Sequence, residues 1–288
     1  MKKRILIPVL LLALLCGCAG TANTQKPTGG IVCTTQQLAD LTERILDGTA
    51  AGADTPVESV VTEPVSCLHD YTLSVRQMEL LENAEVVIES GMGLENFMED
   101  ALRAASCTRI TASTGVAALP SDEDPDEPDP HIWLAPENCA QMAQNIADGL
   151  AALYPDDAAR LRENAADYAR EMDELQAYGE QQLSSLSCRE LVTFHDGFSY
   201  FAEAFGLEIA AAMEVEAGSE PSAKELEEIV RIVREHAIPA VFSETNGTQD
   251  AAQLVARETG AGVFVLDMGL SNPDAIRNNI DTVKEALQ

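Results

Sequence analysis

Four histidines occur in this chain of 288 residues, and three of them stand where an apolar run gives way to a polar or helical one. His69 lies in Cys67-Leu68-His69-Asp70-Tyr71, and His131 in Asp129-Pro130-His131-Ile132-Trp133-Leu134-Ala135-Pro136. His195 directly follows the apolar residues 191–194, and Asp267 takes the equivalent place after residues 263–266. Three neutral imidazoles and one carboxylate close a four-coordinate shell. Such a shell suits a borderline-soft divalent ion such as zinc and neutralises part of its charge. His236 reads differently, because it follows Arg234 and Glu235 near a predicted helix end, where it can cap exposed carbonyls. A three-histidine zinc enzyme would keep an open coordination position and a nearby base. Asp267 fills that position, and the chain has no Gly-x-Ser-x-Gly nucleophile motif. The residues therefore point to holding an ion, without catalysis.

The elements that would carry these side chains read as α/β. Strands are expected at residues 31–34, 86–89 and 108–111, with helices at 75–85 and 94–105 and one that places Leu38, Leu41 and Ile45 on a single face. This alternation buries a mostly parallel sheet between helices. Ligands of such open sheets sit beyond the carboxyl ends of the strands. After the acidic loop 121–130 come helices at 136–153 and from Pro155 to about residue 183, the second with Leu161, Ala165, Tyr168, Met172 and Leu175 in one stripe. At about 1.5 Å per residue that helix is a rod of roughly 42 Å, long enough to link two lobes. The alternation then resumes, with strands at 191–194, 207–211, 240–243 and 263–266. Between them lie a helix closed by Gly206, a helix opened by the capping box Ser222-x-x-Glu225, and helices at 250–259 and 273–287. The layout is an N-terminal α/β lobe at 31–154, a linking helix at 155–186 and a C-terminal α/β lobe at 187–288.

The amino terminus reads as an export signal. Lys2, Lys3 and Arg4 precede a twelve-residue run, 5–16, that is apolar apart from Pro8 and too short for a lasting membrane span of about 20 residues. Leu15-Cys16-Gly17-Cys18 resembles the lipobox of bacterial lipoproteins, which implies cleavage after residue 17, lipidation of Cys18 and a lipid anchor in the membrane. Residues 19–30 form a small, polar tether. Five thiols then remain in the body, Cys33, Cys67, Cys107, Cys139 and Cys188, with no Cys-x-x-Cys pair. Their pairing cannot be read from sequence. Acidic residues outnumber basic ones by 48 to 18, and the net charge of −30 excludes nucleic acid as a partner. That charge favours a cation, although it serves the solubility of an exported protein equally well.

Six motifs in order resemble the zinc- and manganese-binding solute-binding proteins of bacterial ABC transporters, over nearly the whole mature length. They are His69-Asp70-Tyr71, Gly91-Met92-Gly93-Leu94-Glu95, the Asp-x-His-x-Trp-Leu-x-Pro element ending at Pro136, Thr193-Phe194-His195-Asp196, Phe242-Ser243-Glu244 and Leu266-Asp267. The resemblance implies two α/β lobes joined by one long helix, with the metal between them on His69, His131, His195 and Asp267 and with Glu244 behind these ligands. It further implies a monomer on the outer face of the cytoplasmic membrane that delivers a divalent metal ion, zinc or alternatively manganese, to an ABC permease and its ATPase. A metal-braced surface adhesin is the other role such a chain could serve. The loop before His131 departs from many zinc-binding members, because Asp122, Glu123, Asp124, Asp126, Glu127 and Asp129 stand where those carry histidines. Six carboxylates there attract cations weakly, as a solvated loop with no discrete site.

Overall fold

In the computed structural model the described residues are 30–62, 68, 71–121, 126–213, 222–245, 247–270, 272 and 274–288. The expected export signal, Cys18 and the expected tether up to residue 29 lie outside them, as do Cys67, His69 and Asp70.

β1 (Ile31–Thr35) is buried at every position. A strand covered by helices on both faces reads as such a continuous apolar run instead of an alternation. It is central in a sheet of order β2-β1-β3-β4, with β2 (Val57–Val61), β3 (Val86–Glu89) and β4 (Thr108–Thr111) all parallel to their neighbours. α1 (Gln36–Leu46) starts at once on Thr35, whose hydroxyl accepts from the Leu38 amide. β2 and the short α2 (Ala50–Asp54) have no counterpart in the sequence reading. β2 is an edge strand that exposes Glu58, and only Val60 and Val61 are buried. α3 (Val75–Glu82) stops three residues earlier than predicted. The single helix expected at 94–105 is a 3₁₀ turn, Asn96–Met98, followed by α4 (Glu99–Ala104).

A second parallel sheet repeats the first sheet's order as β6-β5-β7-β8, built from β5 (Glu190–Thr193), β6 (Glu208–Ala212), β7 (Ala240–Glu244) and β8 (Gly262–Leu266). Its helices are α7 (Ser199–Phe205), ended by left-handed Gly206, α8 (Ala223–Glu235), α9 (Asp250–Thr259) and α10 (Ala275–Leu287). α8 opens on the expected Ser222–Glu225 capping box. His236 is the last residue of that helix cap, but its ring turns to the Glu190 carboxylate instead of to the helix carbonyls.

Two long helices join the sheets. α5 (Pro136–Leu153) has the predicted bounds. α6 runs over Ala158–Leu183, so Pro155 lies in the preceding turn and not, as expected, in the first helical turn. Asp157, at the helix start, turns its carboxylate away from α6 and accepts from the Ala50 and Ala51 amides at 3.0 and 2.8 Å, capping α2. At about 1.5 Å per residue, 26 residues make a rod of roughly 39 Å. Its first half is fastened to the first lobe by Asn164 to the Ile45 carbonyl and Glu171 to Arg44. Its second half is fastened to the second lobe by Gln176 to the Ala204 carbonyl and Tyr178 to Asp281. Gly179 is required at that crossing, because a Cβ there would meet the Phe205 ring at 2.2 Å.

Candidate metal centre

In both sheets the chain reverses direction of growth between the first and third strands, and the crevice there is where open α/β folds bind ligands. In the second lobe that crevice lies between β5 and β7. His195 stands just past β5 and Glu244 ends β7, both only 5% exposed, with Nδ1 of the ring 3.8 Å from Oε2 of the carboxylate. The strand-end position expected for His195 is thus realised.

His131 arrives by another route. It lies not at a strand end but before the 3₁₀ turn Ile132–Leu134 that leads into α5. The loop ahead of it is pinched at its base by the Pro120–Pro128 bridge and by the Asp129 amide donating to the Leu119 carbonyl at 2.8 Å. This pinch buries Asp129, which the sequence reading had grouped with the solvated carboxylates of the loop; it is 1% exposed. Its Oδ1 accepts from the His131 amide at 2.8 Å and lies 2.7 Å from His131 Nδ1. A carboxylate accepts here, so Nδ1 carries the proton and Nε2 keeps its lone pair, as in metal sites where a carboxylate orients a ligating imidazole.

The two Nε2 atoms of His131 and His195 lie 3.3 Å apart, with the rings nearly perpendicular at 82°. Two imidazoles bound at about 2.0–2.1 Å to one tetrahedral zinc ion place their nitrogens about 3.3–3.4 Å apart. The pair therefore has the spacing of two ligands on one ion. Gly197 makes the approach possible. A Cβ on it would lie 2.8 Å from His195 Cδ2, 3.0 Å from His131 Cε1 and 2.6 Å from the Met268 methyl. Trp133, the single tryptophan, stands edge-on to His131 with centroids 5.4 Å apart, and its indole N–H donates to the Met268 carbonyl at 2.6 Å across the lobes.

Asp267 follows β8 as expected, but its carboxylate is engaged within its own segment. Oδ1 accepts from the Gly269 amide and Oδ2 from Asn272 Nδ2, each at 2.8 Å. Among the described residues no three histidine, cysteine, aspartate or glutamate side chains gather closely enough to hold an ion. Of the expected ligands, then, His131 and His195 are brought together, Asp267 is held on the adjoining segment, and His69 falls outside the described residues. Leu68 is buried, and the Tyr71 hydroxyl accepts from Gln77 Nε2 at 2.8 Å.

A glycine turn follows β3 in the first lobe. Gly91, Met92 and Gly93 all have positive φ, at 85°, 54° and 83°. Glu95 pins this turn by accepting from the Ser90 and Gly91 amides and from the Thr34 hydroxyl. Burial pushes its carboxyl up to about 7, against the opposing pull of those donors. Cys33, Cys107, Cys139 and Cys188 are free thiols. The sequence reading missed the roles of Asp129 and Gly197. The Asp-x-His spacing was a usable signal for the first, whereas nothing local marks the second.

The family model ZnuA, described as zinc-uptake complex component A, periplasmic, matches residues 31–286. The zinc-binding lipoprotein AdcA of Streptococcus pneumoniae (strain ATCC BAA-255 / R6) is 28% identical over 280 residues, covering 90% of this chain and 54% of AdcA. The chain thus spans about half the length of that relative. The iron-binding protein YfeA of Yersinia pestis is 30% identical over 247 residues, which is 82% of this chain and 77% of YfeA. A crystal structure of a ZnuA deletion mutant with zinc bound superposes with a TM-score of 0.79 at 27% identity, over 90% of this chain and 98% of that one. With two parallel-sheet lobes, a pair of converging imidazoles in the crevice and a family match across nearly the whole folded body, the chain belongs to the ZnuA family.

Proposed function

We propose that this protein is the extracytoplasmic receptor of an ABC importer, which captures one divalent transition-metal ion between its lobes and delivers it to a membrane permease driven by its ATPase. The observation that carries this reading is the 3.3 Å separation of the His131 and His195 Nε2 atoms, with Asp129 orienting the first ring. His69, His131, His195 and Asp267 are the ligands, and Glu244 backs His195. Zinc is the cargo, in keeping with the nitrogen-rich donor set. The ion is passed on and not used for chemistry, and the protein works as a monomer. Native mass spectrometry of protein purified without added metal, followed by competition between zinc and manganese, tests the reading. One ion per chain is expected; no bound ion at any excess of metal would overturn it.

His195 sets the preference for zinc over manganese. Manganese is the harder ion and favours oxygen ligands and higher coordination numbers. His195→Glu is therefore expected to narrow or reverse the ratio of zinc to manganese affinities, measured by competition in one buffer. A ratio unchanged within about a factor of two would assign selectivity to lobe geometry instead.

Cys18 is the anchor. In this layout residues 1–17 are removed as a signal, 18–30 form the tether, and the lobes at 31–154 and 187–288 are joined through 155–186. Cys18→Ala is expected to release the protein from the outer face of the cytoplasmic membrane. If the variant stayed membrane-bound after a salt wash, another anchor would have to be sought.

A further inference from the structure

β8 is the outermost strand of the second sheet, so among the described residues no strand beyond it fixes the peptide of Asp267. On the inner side the preceding residue is well held, since the Leu266 carbonyl accepts from the Thr245 amide at 3.0 Å and from the Thr245 hydroxyl at 3.2 Å. On the outer side the place of a strand is taken by one side chain. Asn279 of α10 accepts from the Asp267 amide through Oδ1 and donates to the Asp267 carbonyl through Nδ2, both at 2.8 Å. This two-point clamp reproduces the hydrogen bonds of a sheet partner for a single residue.

The helix that supplies it offers an independent argument. The buried face of α10 consists of Ala275, Ile276, Asn279, Ile280, Val283 and Leu287, and Asn279 is 1% exposed. At a place in that stripe where an apolar residue would serve packing alone, a primary amide is buried, and burial of an amide is unfavourable unless its bonds are made. All of its protein bonds go to the main chain of Asp267. The side chain of Asp267 is steered in turn by the Gly269 amide and Asn272, so the orientation of the whole residue is set by a small polar cage of which Asn279 is the buried root.

We propose that Asn279 is a positioning residue of the metal site, which fixes the main chain of Asp267 so that its carboxylate meets the incoming ion in one orientation. This inference rests on the reading of Asp267 as a metal ligand. Groups that orient ligands typically change metal affinity by about 10- to 100-fold when removed. The apolar replacement Asn279→Leu, alike in branching and at home in the helix stripe, is expected to weaken zinc binding by that order.

The test is a double-mutant cycle on the full chain, with zinc affinities from competition against a chromophoric chelator. It uses Asn279→Leu and, as a second variant that does not rely on the same packing, Asn279→Ser, each alone and combined with Asp267→Ala. If Asn279 acts through Asp267, both substitutions weaken binding in the native background and change it less than about twofold once Asp267 is alanine. Equal losses in the two backgrounds would assign Asn279 a merely structural role and overturn the proposal. So would a silent Asn279 beside a damaging Asp267→Ala, with the ligand assignment left standing. A silent Asp267→Ala would overturn the ligand assignment itself, and the proposal with it.

Discussion

Replacing His131 with alanine is expected to abolish most of the thermal stabilisation that zinc confers. An ion held only by the folded state contributes RT ln(1 + [L]/Kd), about 4 kcal/mol at a thousandfold excess over Kd, and for a chain of this size that is a shift on the order of ten degrees. His131 supplies one of the two converging nitrogens and is the one whose tautomer is fixed, so its loss removes both a donor and the alignment of the pair. Scanning calorimetry with and without zinc checks this, with His236→Ala as the control. His236 faces Glu190, the first residue of β5, whereas His195 lies past the other end of that strand. Equal losses from the two substitutions would show that the ligands have been wrongly assigned.

Gly197→Ala is expected to be nearly as damaging, although it removes no donor. The added methyl would fall within 3.0 Å of carbon atoms of both imidazoles and of the Met268 methyl. The methionine end is flexible and can swing aside. The imidazoles have less freedom, because His131 is held by its bonds to Asp129, and His195, 5% exposed, is packed against Glu244. Overpacking of this kind costs about 1–3 kcal/mol, and if the whole cost falls on the bound state, zinc affinity drops roughly 5- to 150-fold. Isothermal titration would register the loss, while the circular dichroism of the metal-free protein stays native. An unchanged affinity would mean that the rings do not need their present separation.

The sheets were legible because parallel strands covered on both faces are continuous apolar runs. Residues 86–89 match β3 without adjustment and α5 keeps its predicted bounds; residues 108–111 match β4 as well, although that edge strand is no apolar run. β2 offers no continuous apolar run, because Glu58 and Ser59 interrupt it. Pro155 misled because proline suits a first helical turn but suits a preceding turn as well, and Asp157, at the helix start, bonds to residues more than a hundred positions away. The same holds at the site. His195 and Asp267 could be placed from strand ends alone. His131 takes its position from the folded-in base of an acidic loop, and Gly197 and Asn279 matter only through what lies opposite them in space.

If the protein works as proposed, the long helix α6 bears on the timing of transport. Its two halves are bonded to different lobes with no break in its hydrogen-bond ladder, so the lobes share a stiff strut instead of a pair of slack strands. Wide hinge opening would have to bend or fray that strut, whereas small shear motions leave it intact. Under the proposed function, an ion captured between the lobes would then lack an open state of large amplitude through which to escape, and local events at the crevice would set a slow spontaneous loss. Under the proposed function, unloading on the timescale of import would call for work done on the lobes from outside, so the helix that makes such a receptor retentive would also tie it to the permease that empties it.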